Sequence, residues 1–321
     1  MGIPDVSLKN WLGQNARFAD LFNAIIFHGY EVIQPDKLMD VRNESDLVVG
    51  DKNNKKRGES RFRDIVKKYD DSITLVILTC EIQDKIHYAM PVRMMLYDSL
   101  SYIDQARKLW EALDEESKRN VSKESFLSKF KKGDILFPVI TLILYYGDEE
   151  WDGSVELYQM FGELASCEWI KEYVSNYKIN LVHPQNIEDY SIFKSDLQMI
   201  FPMLKYKNSR KDMMEYINNN HDFFQRISTE DVYAIEALLG AGSFWTERLD
   251  TQKEVQDMCK AFEDIYKDGV TEGIEQGIEQ GIEKSILLLR KVGTSEEMIL
   301  ELISTEYSLS EDEALSYVSK N

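Results

Sequence analysis

The sequence predicts an α/β fold that continues into a helical C-terminal extension. Three observations carry this expectation. Residues 73–82 (ITLVILTCEI) and 135–146 (ILFPVITLILYY) are almost wholly apolar and end in turn or polar residues, the pattern of strands buried on both faces. Between them, residues 92–113 read as a long helix, and a strand, a crossover helix and a second buried strand make a parallel unit. Beyond residue 190 the apolar side chains recur at helical spacing, over 192–204, 209–218 and 229–239.

The chain has 321 residues, enough for two domains or for one with extensions. Its 43% hydrophobic and 11% aromatic content argues for a folded core and against disorder. No run approaches the roughly 18 apolar residues that a membrane helix needs. The opening MGIPDVSLKNWL lacks the basic start and apolar centre of a signal peptide. Cys80, Cys167 and Cys259 lie far apart with no CxxC pair, which predicts free thiols in a reducing cytoplasm. A net charge of −19 opposes phosphate binding, but it is unevenly spread. Residues 51–68 hold eight Lys and Arg against three acids, and 118–132 hold six against one. From residue 247 onward, eighteen acids face eight basic residues, so about half of the deficit belongs to the tail.

Taken in order, residues 1–14 read as a loosely held lead-in. Phe18, Leu21, Phe22, Ile25 and Ile26 form one apolar stripe, predicting a helix over 18–27 that Gly29 caps. A short strand is expected at 46–49. Residues 51–59 (DKNNKKRGE) read as a flexible loop, either a flap that follows a DNA backbone or a hairpin end. Residues 64–69 can pair with 73–82 as a hairpin. A loop centred on Asp71 and Ser72 would set Asp64 opposite Thr79 and diagonal to Glu81, about 7–8 Å away.

A buried strand should not end in charge, yet this one ends Glu81-Ile82-Gln83-Asp84, and Glu81 and Gln83 share a face. Two carboxylates at that separation can converge on one cation, and Mg²⁺ favours one or two carboxylates with waters and phosphate oxygens. Pro91 suits the first turn of the helix that follows, on which Arg93 and Tyr97 are neighbours. Pro138 is unusual in a central strand and predicts that the strand proper begins at Val139. Residues 149–153 read as a turn, and 179–182 as an edge strand.

Residues 253–292 read as a long helix with Gly269, Gly273, Gly277 and Gly281 at a period of four. Each glycine costs about 1 kcal/mol against alanine there. Small residues beside Val270, Ile274, Ile278 and Ile282 suit a homo-oligomer seam over 269–284; the alternative is a partly frayed linker. Two short helices, 296–305 and 310–319, close the chain, the second opened by a capping box of Ser310 and Glu313. The expected organisation is therefore 1–190, a helical extension over 191–250, and the glycine-punctuated helix with a small helical tail over 251–321.

An Asp at the start of one strand, followed on the next by Glu-x-Lys, is the core of the PD-(D/E)xK nuclease superfamily. The phrases RDIVKKYDD, CEIQDKIHYAMPVRMMLYDSLSYIDQ, FPVITLILYYGDEEWDG and FADLFNAIIF resemble the recombination-promoting nuclease (Rpn) family, also described as PD-(D/E)xK transposases. The resemblance covers most of residues 15–190 and also fits the tail. It implies a restriction-endonuclease-like αβββαβ core and a metal-dependent DNA endonuclease linked to recombination, mobile DNA or phage defence.

Carried over residue by residue, the resemblance makes Asp64, Glu81, Gln83 and Arg93 the catalytic set. Mg²⁺ or Mn²⁺ would be held by Asp64, Glu81 and the carbonyl of Ile82. Asp20 matches an acid of the first helix that can join the site; a capping Asp is the other reading. Lys55, Lys56, Arg57, Arg61, Lys67 and Lys85 are the expected DNA contacts, from the basic run beside the site. The chain departs from the superfamily pattern at Gln83, where lysine is expected. Gln orients water by hydrogen bonds but brings no charge. Lys85, two residues on, would share its face if the strand continued. The missing lysine and the acidic balance support an alternative, a non-catalytic nucleic-acid-binding or regulatory protein. A third reading is a toxin-like effector controlled by its tail.

Overall fold

The structure, a computed structural model, describes residues 3–41, 44–50, 56–62, 64–71, 75–240 and 253–320. The chain divides into two compact units. One comprises Met1–Phe223 with Ile227–Gln256, the other Phe224–Arg226 with Asp257–Asn321.

The first unit opens with helix α1 (Ile3–Leu12), where a lead-in was expected. Leu8, Trp11 and Leu12 sit at i, i+3 and i+4, so one turn buries all three, and the helix packs on α11 (Thr229–Leu239). Helix α2 (Asn15–Ile25) buries Phe18, Leu21 and Phe22 as its stripe predicts, and ends just before His28 and Gly29, both in the left-handed region. Strand β1 (Leu38–Asp40) follows, then a separate antiparallel hairpin of β2 (Glu44–Gly50) and β3 (Lys56–Phe62). The second half of the expected 51–59 loop is therefore strand, in register from Glu44↔Phe62 to Gly50↔Lys56.

Strands β4 (Ile65–Asp70), β5 (Leu75–Gln83), β6 (Val139–Tyr145) and β7 (Asn180–Val182) join β1 in a five-stranded mixed sheet of order β1-β4-β5-β6-β7. The β1–β4 and β4–β5 pairs are antiparallel; β5–β6 and β6–β7 are parallel. The β4–β5 register corrects the expectation. Asp70 pairs with Leu75, so four residues rather than two connect the strands, and Val66, not Asp64, lies opposite Thr79. Strand β6 begins at Val139, directly after Pro138.

Helix α3 (Met90–Glu111) carries the chain from β5 to β6, with Pro91 in its first turn. It covers the sheet face formed by alternate residues of β5 and β6. Met90, Met94 and Tyr97 pack with Ile143 of that face. On the same face Thr79 Oγ1 donates to Thr141 Oγ1 (2.7 Å), which donates to Asp98 Oδ1 of α3 (2.6 Å). Tyr177 Oη donates to the other Asp98 oxygen (2.5 Å). Gln105 brackets the entry to β6, accepting from Phe137 N and donating to Phe137 O. The opposite face carries Lys67, Tyr69 and Cys80, with Lys67 reaching Asn15 and the Phe18 ring of α2.

Short helices α4 (Glu115–Arg119), α5 (Lys123–Ser128) and α6 (Glu168–Tyr173) lie before and after β6. The single helix expected over 192–204 is two pieces, α7 (Leu197–Ile200) and α8 (Met203–Tyr206), divided at Pro202, which has no N–H to give a continuous ladder. Helices α9 (Arg210–Asn219) and α10 (His221–Phe224) and a small pair of strands, β8 (Ile227–Ser228) and β9 (Val255–Gln256), complete the region around α11.

A buried ionic cluster ties this unit together. Arg17 of α2 donates to both Asp196 oxygens and, at 2.7 Å, to Asp231 of α11. Trp11 Nε1 donates to that same Asp231 oxygen, and the Arg17 guanidinium lies over the Trp11 ring. Burial works against the Arg17 charge, but the hydrogen bond and charge of Asp196, with Asp231 and Glu230, more than offset it and raise its pKa.

The second unit is built on α12 (Met258–Lys291), α13 (Glu296–Glu306) and α14 (Glu311–Lys320). Ile282 and Ile286 bury against Ile299 and Ile303 of α13 and Ala314 and Val318 of α14. A Cβ at Gly281 would stand 3.3 Å from the Tyr307 hydroxyl, so this glycine serves packing within the chain, whereas Gly273 and Gly277 meet nothing within 4 Å. The capping box forms as expected: Ser310 N donates to Glu313 Oε2 (2.9 Å) and Glu313 N to Ser310 Oγ (3.4 Å).

Two carboxyls in this unit are held below the ordinary value of 4.5, Glu296 by the Arg290 guanidinium and Glu313 by the Ser310 cap. A depressed carboxyl stabilises the fold above its unfolded pKa and loses that contribution as pH falls through its folded pKa. Hydrogen-exchange protection of α13 and α14 amides, corrected for intrinsic rates, is therefore expected to fall between about pH 5 and pH 3. Arg290→Ala should flatten the α13 part of that dependence. A profile identical to wild type would remove Glu296 as its source.

Candidate active site

The polar end of β5 is where the first unit gathers its acids. Strand β4 begins at Ile65, one residue after Asp64, and its register with β5 pairs Ile65 with Cys80. Continuing the ladder by one pair sets Asp64 across from Glu81. The Asp64 carboxylate takes the place of a strand carbonyl, with Oδ2 accepting from Ile82 N at 2.7 Å. Its other oxygen, Oδ1, is 2.6 Å from Lys9 Nζ of α1. Ammonium and carboxylate are both half-buried, which strengthens their attraction over that of a surface pair.

Glu81 is 0% exposed. It lies on the sheet face that α3 covers, and the guanidinium of Arg93, in the first turn of α3, approaches it at 3.6 Å. Arg93 lies over the Tyr97 ring and donates through Nε to the Tyr97 hydroxyl at 3.4 Å, so the expected i, i+4 partnership holds the guanidinium against the buried carboxylate. Asp64 and Glu81 act on one neighbourhood. Burial pushes the Cys80 thiol well up, and the negative charges of Asp64 and Glu81 push it further.

Gln83 ends β5 half-buried, and its carbonyl accepts from Tyr146 N at 3.0 Å. The strand stops there, so the shared face expected for Lys85 does not extend to it; Lys85 is exposed on the following bend. Lys67 is a correction. It is 2% exposed, and its ammonium bonds Asn15 Oδ1 (2.8 Å) and Asp40 Oδ1 (2.5 Å), which leaves it unavailable to a phosphate. Lys56, Arg57 and Arg61 lie on β3, and Lys55 lies outside the described residues.

Asp20 has the capping role. Its carboxylate accepts from Lys194 N, Ser195 N and Ser195 Oγ at 2.6–3.0 Å, which fixes the turn before α7. Lys9 escaped the sequence reading. The signal for it was the Leu8, Trp11 and Leu12 spacing, which makes 3–12 a helix, though nothing local tells where that helix docks.

The donors that could face an ion here are the Asp64 and Glu81 carboxylates, the Ile82 carbonyl and the Gln83 amide. All are hard oxygens, which suit Mg²⁺ or Mn²⁺ rather than Zn²⁺. Among the described residues no group of three or more His, Cys, Asp and Glu converges as a metal cage. A two-carboxylate site completed by water is the arrangement that Mg²⁺ commonly takes.

Among the described residues, no helix is long and apolar enough to cross a membrane. No curated protein and no solved structure matches the chain. A family model matches from Leu78, inside β5, so the match takes in Glu81, Gln83 and Arg93 and leaves out Lys9 and Asp64. The resemblance drawn from the sequence holds over that stretch: residues 78–233 match the model of the family described as "Putative transposase, YhgA-like".

Proposed function

We propose that this chain is a metal-dependent DNA endonuclease on a PD-(D/E)xK core, working on mobile DNA, in recombination or in phage defence. The observation that carries the reading is the Asp64 carboxylate, tied to the amide beside Glu81 and met by the Lys9 ammonium at 2.6 Å. Asp64 and Glu81, with the Ile82 carbonyl, would hold Mg²⁺ or Mn²⁺. A divalent ion there supplies charge neutralisation and makes water a usable nucleophile. Gln83 orients the attacking water through its amide. Arg93 exchanges its contact with Glu81 for a phosphate oxygen, a trade that its planar donors suit. Lys9 brings from α1 the positive charge that superfamily members carry at the position of Gln83.

Lys85 and the basic residues of β3 are the proposed backbone contacts. The three free thiols suit a reducing, cytoplasmic setting. Self-association through α12 belongs to the same proposal, because Ile274 and Ile278 are exposed beside Gly273 and Gly277.

The competing reading, a non-catalytic nucleic-acid-binding protein, draws on the complete burial of Glu81 and its pairing with Arg93. Plasmid cleavage decides between them. With Mg²⁺ or Mn²⁺, wild type is expected to nick or linearise supercoiled DNA, while Asp64→Asn and Glu81→Gln each lose at least about 100-fold of that rate. Equal nicking by all three proteins, or none by wild type, would leave the binding reading standing.

A further inference from the structure

A second feature of the first unit lies away from the acids, at the far end of α3. Trp110 stands on the same helix as Arg93, about 26 Å further along its axis at 1.5 Å per residue. There a cavity of 620 Å³ opens, lined by Trp110, Lys118, Arg119, Lys123, Phe126 and Lys129 among others. Four of these six are cations in a chain of net charge −19. Lys118 is 3.0 Å from Glu115, the acid at this rim.

The aromatic part reaches solvent. Phe126 is 53% exposed, and its ring meets Trp110 edge-on at 6.0 Å. Lys129 ends α5 with φ of 56°, in the left-handed region that lysine seldom adopts. From this C-cap its ammonium lies over both rings, 3.7 Å from the Phe126 centroid and 4.6 Å from that of Trp110. Lys129 thereby sets a charge at the rim of the cavity.

We propose that this cavity binds a single-stranded segment of DNA, with phosphates on Lys123, Arg119 and Lys129 and a base against Phe126. Cations alternating with accessible rings are what an unpaired strand requires. Its phosphates need charge, and its bases, freed from pairing, present flat faces that an aromatic ring can cover. A duplex keeps those faces stacked inside and offers its backbone and the base edges in its grooves. The site does not depend on chemistry at Asp64 and Glu81, so it stands or falls separately from the endonuclease reading.

The test uses the full chain carrying Glu81→Gln, in EDTA, with a fluorescent 20-nucleotide oligo-dT and a duplex of equal length, followed by anisotropy over a salt series. Single-stranded DNA is expected to bind more tightly than the duplex. Lys123→Ala with Lys129→Ala should weaken it about tenfold and make the slope of log K against log salt shallower by about 1.4, near 0.7 for each lost cation. Phe126→Ala should weaken it about tenfold with the slope unchanged, because stacking releases no counterions. Unchanged affinity and slope in the lysine variant overturn the proposal. So does a Phe126→Ala protein that binds like its parent, since charge alone would not select an unpaired strand.

Discussion

Replacing Lys9 by methionine is expected to lower Mg²⁺-dependent DNA cleavage about 100-fold while tightening Mg²⁺ or Mn²⁺ binding. Loss of one preorganised electrostatic group at a phosphoryl-transfer site commonly costs this much. Lys9 Nζ lies 2.6 Å from Asp64, and no charge stands at Gln83 to share its task. Removing it takes a positive charge from beside the carboxylate proposed to bind the metal, so affinity for a divalent cation should rise. The charge that would steady a phosphate at the same place is gone, so the rate should fall. Methionine keeps the unbranched stem, so α1 can keep its packing through Leu8, Trp11 and Leu12.

The two readouts separate the roles that one ion pair can have. A Lys9 that only blocks the metal would give a variant with tighter binding and faster cleavage, and that result would overturn its role as the ammonium of the site. Calorimetric titration with Mn²⁺ supplies the affinity independently of turnover. Lys9→Arg, which keeps the charge, should recover part of the rate.

Arg17→Met is expected to destabilise the first unit by about 3–5 kcal/mol, the cost of leaving buried charges without their partner. Arg17 is the common partner of Asp196 and Asp231, and both carboxylates remain when it is removed. Asp231 also accepts from Trp11 and from Ser228 Oγ, so the loss reaches α1, α2, the start of α7 and α11 together.

The pH dependence of that loss has a definite sign. Burial raises the Asp196 carboxyl, with Arg17 opposing the shift, and removing Arg17 raises it further. An acid whose folded pKa lies above its unfolded value takes up its proton first in the folded state, so the deficit should be largest near neutral pH and narrow as pH falls. Urea unfolding at about pH 7 and pH 5 measures both effects. Asp196→Asn in the Arg17→Met background should return part of the stability by removing one stranded charge. A deficit below about 1 kcal/mol would mean that water reaches these groups readily and that the cluster is peripheral.

Much of the fold was legible because its signals are local. Strands β5 and β6 announced themselves as apolar runs, Pro91 and Pro138 marked the start of α3 and of β6, and Ser310 with Glu313 marked the start of α14. Pairing with Asp64 was less legible. Strand β5 is apolar on both faces and so does not fix its partner's register, which came from a four-residue connection that the turn residues did not specify. The expected single helix over 192–204 failed at Pro202, a signal present in the sequence and outweighed there by the apolar spacing.

By itself the sequence determined where β5, β6, α3 and the C-terminal helices lie and that charge stands at the end of a buried strand. These follow from side-chain period and backbone chemistry within a few residues. Only the tertiary structure decided that Lys9 meets Asp64, that Lys67 is enclosed by α2 and β1, and that Lys129 bends over Trp110 and Phe126. The physical reason is that a cation's partner depends on where its element docks, and docking is set by apolar surface that carries no record of which charge it will bring along.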